Sequence, residues 1–186
     1  LAASLAATHR RILLVDLDPQ GNATMGCGVN KYDLAATSYD VLMGDIDAKG
    51  AIVKTEGGFD LLPANQELTG AEVHLLELSD KETRLKSALQ AVQDDYDYIY
   101  VDCPPSLNML TVNALVAAHT VLIPMQCEYF ALEGISALTH TIAQIKAVLN
   151  PELEIEGVLR TMFDPRNNLA VDVAHQLQQH FGDRVY

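Results

Sequence analysis

Two places in this 186-residue chain set an aspartate at the end of an apolar run, with proline close behind. The first reads Val15-Asp16-Leu17-Asp18-Pro19-Gln20-Gly21-Asn22, and the second Val101-Asp102-Cys103-Pro104-Pro105-Ser106. A carboxylate at such a point sits at the rim of a low-dielectric core. It is costly there unless it is paired or faces a cation. For Asp102 one reading is a Mg²⁺ aspartate acting through water beside a nucleotide; the other is a cap on the next turn. Four apolar or aromatic residues ahead of it and two prolines soon after it favour the first. Asp16 and Asp18 lie two apart, so on an extended strand they share a face. They repel there unless a cation or donor separates them. That suits metal coordination and the positioning of an attacking water, but Asp18-Pro19 is equally a turn initiator with Asp16 a polar contact for a helix. The next residues, Gln20 to Thr24, are small and polar, suited to a mobile loop that touches a phosphate or a second subunit.

Two further strand ends carry candidates. Gln126 and Glu128 follow a run ending in Pro124-Met125 and read more simply as caps for the next helix. Met162, Phe163 and Asp164 follow another run. The first two could wall a purine base, although such residues are more often core. Other chemistry is absent: there is no G-x-x-x-x-G-K-[ST] loop and no Gly-Lys pair. Gly26 and Gly28 do not extend to G-x-G-x-x-G, because position 31 is Lys. The six histidines are dispersed, and no serine sits in a nucleophile motif. Cys27, Cys103 and Cys127 are too few and too scattered for a disulfide framework, and no C-x-x-C pair exists.

The elements that must hold these residues alternate in type. Arg11–Leu17, Phe59–Pro63, Tyr98–Asp102, Thr120–Met125 and Ile155–Arg160 read as strands. The first is a continuous apolar run, as expected of a strand covered on both faces. Helices are expected over Gln66–Leu78, Lys81–Gln93, Met109–Ala118, Leu132–Leu149 and Leu169–Phe181. In the last, Leu169, Val173, Leu177 and Phe181 form an apolar stripe. Leu1–Thr8 is Ala- and Leu-rich and helical, with no cap before it, which suggests a chain cut inside a helix. Residues 30–58 are weakly patterned and should hold short helices and loops. Asp183–Tyr186 reads as a turn entering a strand. The expected fold is α/β, with a mostly parallel sheet flanked by helices on both faces, in a single domain over residues 1–186. Ligands of such sheets sit beyond the strands' carboxyl ends, where the aspartates lie.

Composition narrows the classes. Hydrophobic residues are 49% and charged residues 20%, which is globular. Twenty-five Asp and Glu against twelve Lys and Arg give a formal charge of −13. That argues against strong nucleic-acid binding by this stretch alone, which needs clustered cations. No apolar run is long enough to span a bilayer, and no basic start precedes a signal cleavage site. A cytoplasmic, reduced setting is expected.

The segments LLVDLDPQGNAT, YDYIYVDCPPSLNMLTVNAL, VLIPMQCEYFALEGISAL, LNPELEIEGVL and TMFDPRNNLAVDVA, in this order, resemble the ParA/Soj family of chromosome- and plasmid-partitioning ATPases. These belong to the deviant-Walker group that includes MinD. The resemblance runs from Leu1 to Tyr186. It implies a P-loop NTPase-like fold incomplete at both ends, with the KGGVGKTT-type phosphate loop before Leu1 and a strand and final helix after Tyr186. Without that loop these residues alone are not expected to hold ATP. The resemblance further implies ATP and Mg²⁺ as cofactors, ATP-driven homodimers, non-specific DNA binding by the dimer, and a ParB-type partner that stimulates hydrolysis, in a nucleoid-associated protein. Carried over by motif, Asp16 and Asp18 match switch-I aspartates, with Asp18 organising the attacking water and also near the metal. Asp102 matches the Mg²⁺ aspartate, Pro104 opens switch II with Pro105 and Ser106, and Met162, Phe163 and Asp164 fall around the base. The alternatives are a MinD-like regulator at the membrane surface and a catalytically inactive interaction module. An iron–sulfur carrier would need paired cysteines that Cys103 and Cys127 do not provide.

Overall fold

The computed structural model describes residues 1–186. The chain packs as two compact units, Leu1–Ala117 and Ala118–Tyr186. In the first, the elements are α1 (Ala2–Ala6), β1 (Ile12–Asp16), α2 (Asn22–Gly26), α3 (Ser38–Met43), α4 (Ala48–Ala51), β2 (Val53–Lys54), β3 (Asp60–Leu62), α5 (Leu68–Leu76), α6 (Arg84–Gln90), β4 (Tyr98–Asp102) and α7 (Met109–Ala117). Its four strands run in the order β2-β3-β1-β4. Strand β1 pairs in parallel with β3 and β4, and β2 pairs antiparallel with β3.

The continuous apolar run of β1 is explained by cover on both faces. Leu13 and Val15 point into the main core with Leu42, Leu68, Leu75, Leu85 and Leu110, from α3, α5, α6 and α7. Ile12 and Leu14 turn the other way, towards Ala2, Leu5 and Phe59. That second layer is thin, and Leu14 is accordingly only partly buried. Strand β4 keeps the same alternation. Ile99 and Val101 face the main core, while Tyr98 and Tyr100 stack on each other with ring centroids 6.4 Å apart.

Residues 30–58 do form short elements, each with a local cause. Helix α3 starts at a capping box: the Thr37 hydroxyl accepts from the Tyr39 N–H, and Asp40 accepts from the Thr37 N–H at 2.7 Å. Helix α4 starts at Asp47, whose carboxylate accepts from the Gly50 N–H at 2.7 Å. The two-residue β2 is too short to show in the sequence pattern.

The second unit holds β5 (Thr120–Gln126), α8 (Ala131–Val148), β6 (Glu154–Thr161) and α9 (Asn168–Phe181). Strands β5 and β6 are parallel, with a bulge between Val121 and Leu122. Helix α9 is capped by Asn167, which accepts from the Leu169 and Ala170 N–H groups. It buries Ala170, Val173, Ala174, Leu177 and Phe181, so the stripe expected to begin at Leu169 begins one residue later and Leu169 is exposed. The expected turn entering a strand is a short 3-10 helix over Gly182–Arg184 followed by one isolated bridge: Val185 pairs with Val158 in parallel, and the Tyr186 N–H donates to the Val158 carbonyl at 2.8 Å. Gly157 permits this, since a Cβ there would lie 2.4 Å from the Arg184 carbonyl oxygen. No helix is long and apolar enough to cross a membrane.

Candidate functional site

Asp16 and Asp102 are partners in register at the ends of β1 and β4. The ladder closes just beyond them, where the Leu17 N–H donates to the Asp102 carbonyl at 2.9 Å. Both sequence-flagged aspartate motifs therefore emerge side by side from the carboxyl edge of one parallel sheet, where such sheets bind ligands. The Asp102 carboxyl is pushed above the ordinary carboxylate range, first by loss of hydration and then by the negative charges of Asp16 and Asp18. Its carboxylate accepts no hydrogen bond.

Asp16 has the opposite fate. It is 0% exposed, and both its oxygens are engaged. Its Oδ1 accepts from the Asp18 N–H at 3.0 Å; its Oδ2 accepts from the Thr24 N–H at 2.8 Å and the Thr24 hydroxyl at 2.7 Å. The expectation that Asp16 and Asp18 share one strand face is corrected. The strand ends at Asp16, the chain turns over Asp18-Pro19, and only Asp18 is partly open to solvent. Asp18 Oδ1 accepts from the Gln20 N–H at 2.9 Å, which leaves its second oxygen without a hydrogen bond. The expected mobile loop over Gln20–Thr24 is corrected too, since Asn22–Gly26 is the helix α2. Its cap position is Gly21, which has no side chain to accept from the first turn. Asp16, reaching from the strand, supplies that acceptor to the Thr24 N–H instead.

Beyond β4, Pro104 is buried while Pro105 and Ser106 are exposed. Asn108, which the sequence pattern does not single out, ties this segment down. Its Oδ1 accepts from the Thr111 N–H at 3.1 Å in the first turn of α7, and its amide donates to Glu72 Oε1 at 2.6 Å. Asn113, fully buried, accepts from the Leu85 N–H and donates to the Lys81 and Met109 carbonyls. Burial, with Asp102 second, pushes the Cys103 thiol up to about 12, so it is a protonated, poor nucleophile at neutral pH.

In the second unit, Met162 comes directly after β6 at φ +52 and is 86% exposed. A non-glycine residue held in the left-handed region, its apolar side chain in solvent, is a costly arrangement of the kind found at binding sites. Phe163 lies partly buried under the Arg160 guanidinium, 4.9 Å from the ring centroid. Asp164 is occupied by Arg166 through contacts of 3.0 and 2.8 Å, which lower its pKa. Gln126 does not cap α8. Its amide approaches the Met162 sulfur at 3.4 Å, and neither it nor Glu128 caps the helix, whose first turn has no side-chain cap.

The donor set at the β1/β4 edge fits a hydrated divalent cation. Mg²⁺ typically takes one or two carboxylates with waters and substrate phosphates. Asp102 and the outer oxygen of Asp18 are available for that, and Asp16 is not. No group of three or more His, Cys, Asp or Glu side chains forms a ready cage.

Residues 1–155 match the family described as AAA domain. Along its whole length the chain is 48% identical to the chromosome partitioning protein ParA of Caulobacter vibrioides, covering 71% of that protein. It is 49% identical to the sporulation initiation inhibitor protein Soj of Bacillus subtilis, again over the whole chain and 74% of that protein. The chain belongs to the ParA/Soj family. Among solved structures, cobyrinic acid a,c-diamide synthase from Mycobacterium smegmatis with bound ADP and magnesium matches with a TM-score of 0.92 and 41% identity, over 97% of this chain and 74% of that one. Membership of the ParA/Soj family supports a role in chromosome partitioning.

Proposed function

We propose that this ParA/Soj chain is part of a Mg²⁺-dependent ATPase switch, residues 1–186 contributing a single ATPase domain. In this reading it dimerises with ATP, binds DNA without sequence preference and moves chromosomes or plasmids with a ParB-type partner, on the nucleoid in the cytoplasm. The observation that carries the reading is the in-register pair Asp16 and Asp102, with Asp18 adjacent and Asp102 raised and unpartnered. Asp102 would hold Mg²⁺, and the cation would offset charge on the phosphates. Asp18, with one oxygen free, orients the attacking water; Asp16 anchors the loop that carries Asp18. Pro104 sets the turn that leaves β4 beside the phosphates. Within the second unit, Met162 and Phe163 offer apolar surface suited to a base, with Asp164 held at their side by Arg166.

DNA binding in this reading needs two copies. Lys146 is paired with Glu154, Arg166 with Asp164, Arg160 lies over Phe163, and Arg184 donates to the Ile155 carbonyl. With those cations engaged and a charge of −13, one copy attracts DNA weakly, and joining two weak patches raises avidity through effective concentration.

The test is made on the intact gene product, reading MgATP binding, ATP hydrolysis and filter retention of non-specific DNA with ATP, ADP and no nucleotide. Retention is expected only with ATP and Mg²⁺, falling steeply with salt. Asp18→Ala should lower hydrolysis on the order of 10²-fold with nucleotide binding kept. Asp102→Ala should weaken Mg²⁺-dependent binding itself. Retention equal in all three nucleotide states and insensitive to salt, or both variants losing both properties alike while folded, would overturn the reading.

A further inference from the structure

Thr24 lies eight residues beyond Asp16 and is 0% exposed, in a segment whose neighbours Asn22 and Met25 are exposed. Its hydroxyl is used twice. It donates to Asp16 Oδ2 at 2.7 Å and accepts from the Ala64 N–H, in the segment after β3, at 2.9 Å. Its own N–H donates to the same Asp16 oxygen at 2.8 Å. Three stretches of chain thus meet at one hydroxyl: the end of β1, the first turn of α2, and the exit from β3. The loop between is closed at both ends on Asp16, through the Asp18 N–H on one side and Thr24 on the other. Gly21 seals it against the same exit. It sits at φ +61, where a Cβ would meet the Ala64 carbonyl oxygen at 2.8 Å.

We propose that Thr24 is a positioning residue for hydrolysis: its hydroxyl, bridging Asp16 and Ala64, locks the 17–23 loop so that the free oxygen of Asp18 is held beside Asp102. The inference rests on the ATPase reading and adds to it a residue that touches none of the reacting atoms. The physical case is one of reach. Asp18 makes only one hydrogen bond of its own through its side chain, to the Gln20 N–H inside the same loop. Its place relative to the sheet is therefore set by the loop's anchors. Those anchors are Leu17, buried and bonded through its N–H to the Asp102 carbonyl, Lys31, which donates to the Gln20 carbonyl, Asp16, whose charge is satisfied only through Asp18 and Thr24, and the Thr24 hydroxyl, which alone bridges Asp16 to the β3 exit. Serine keeps that bridge. Valine, with nearly the same shape, removes both of its hydrogen bonds and leaves the Ala64 N–H and one Asp16 lone pair unsatisfied in a buried place.

The experiment compares wild type, Thr24→Ser, Thr24→Val, Asp18→Ala and the Thr24→Val/Asp18→Ala double variant of the intact gene product, reading kcat, KM for MgATP and nucleotide binding. A misplacement on the order of 1 Å costs up to ~10²-fold in rate, so Thr24→Val should lose roughly 10- to 100-fold in kcat with KM and binding little changed. Thr24→Ser should recover most of the rate. In the Asp18→Ala background Thr24→Val should cost little more, because it acts through Asp18 and contacting residues do not add. Wild-type kcat in Thr24→Val, or a full additional loss in the Asp18→Ala background, overturns the proposal while leaving the ATPase reading intact. A wild-type protein that neither binds nor hydrolyses ATP overturns both. Amide exchange in the wild type gives a second measurement that needs no variant: the Asp18 and Thr24 N–H groups should exchange slowly. Exchange there at the rate of an open loop overturns the lock even if Thr24→Val fails to fold.

Discussion

Asp16 and Asp102 stand opposite one another on adjacent strands, one residue type in one register, yet they are held in contrary ways. Asp16 is sealed from solvent and engaged by three donors. Asp102 accepts no hydrogen bond, and burial and its acidic neighbours push its carboxyl up. The difference lies in how the chain leaves each strand. After β1 the chain turns back through Gly21 into a helix whose first turn needs an acceptor, and Asp16 supplies it. After β4 the chain leaves through two prolines, which lack N–H groups, and the next helix is anchored by Asn108 instead. A carboxylate with satisfied donors is structural, and one left with unrelieved charge is available for a ligand.

The sharpest way to break that comparison is to delete each carboxylate and measure stability by chemical denaturation. Asp16→Ala strands two buried donors of Thr24, at roughly 1–3 kcal/mol each and not fully additive, and the part-buried Asp18 N–H, so a loss of about 3 kcal/mol is expected. Against a typical total of ~5–15 kcal/mol, that is a large fraction. Asp102→Ala removes no hydrogen bond and should stay within about 1 kcal/mol of wild type. Equal losses in the two variants would mean that Asp102 has a structural partner and the contrast is false.

Gly21 sharpens the same point at smaller scale. Alanine there meets both the left-handed backbone and the Ala64 carbonyl oxygen, for an expected loss of about 1–3 kcal/mol. Asparagine tolerates the left-handed region better but still carries a Cβ, so Gly21→Asn should recover little. Recovery to near wild type would show that conformation alone, and not the close approach to the β3 exit, explains the glycine.

Much of this arrangement was legible in the residues. Tyr98–Asp102 forms the strand its aromatic and β-branched run indicates, and the five longer helices fall within a few residues of their expected ranges. Those patterns are local, and burial on one or both faces writes them directly into the sequence. The role of Asp16 was legible as one of two readings, a polar contact for a helix beside an Asp18-Pro19 turn, and the structure selects that one; the role of Thr24 was not legible. Spacing alone puts Asp16 and Asp18 on one face, and only the termination of β1 at Asp16 separates them. Thr24 looked like a small polar loop residue because its partners, Asp16 and Ala64, lie 8 and 40 residues away. One signal did exist: a threonine shortly after a glycine that stands where a helix cap is missing needs an acceptor from elsewhere. Leu169 misled for the opposite reason, since α9 could present either of two neighbouring stripes and packing selected the one starting at Ala170.

The smallest effect tests the other half of the comparison, the unrelieved charge on Asp102. Its pKa is raised in the folded protein, by lost hydration first and by Asp16 and Asp18 after it. A carboxyl with a raised folded pKa favours the folded state while protonated, and that contribution is lost as pH rises through the folded value. The ionised form is thus the one the fold disfavours at neutral pH. Asp102→Asn keeps the shape and abolishes the charge. It should therefore be more stable than wild type at neutral pH, and the gap should narrow on acidification and close below the ordinary aspartate pKa of about 3.9, where wild type is protonated in both states. The nearby Cys103, its pKa at about 12, stays neutral across this range and does not contribute. Because Asp102 is open on its outer side, solvent screens the effect, and the gap should be a fraction of a kcal/mol. Paired denaturation curves of the two proteins across pH decide it. A gap that does not change with pH, or an asparagine variant less stable at neutral pH, would mean that the charge on Asp102 is already compensated within the protein, and that its readiness for a cation has to be argued on other grounds.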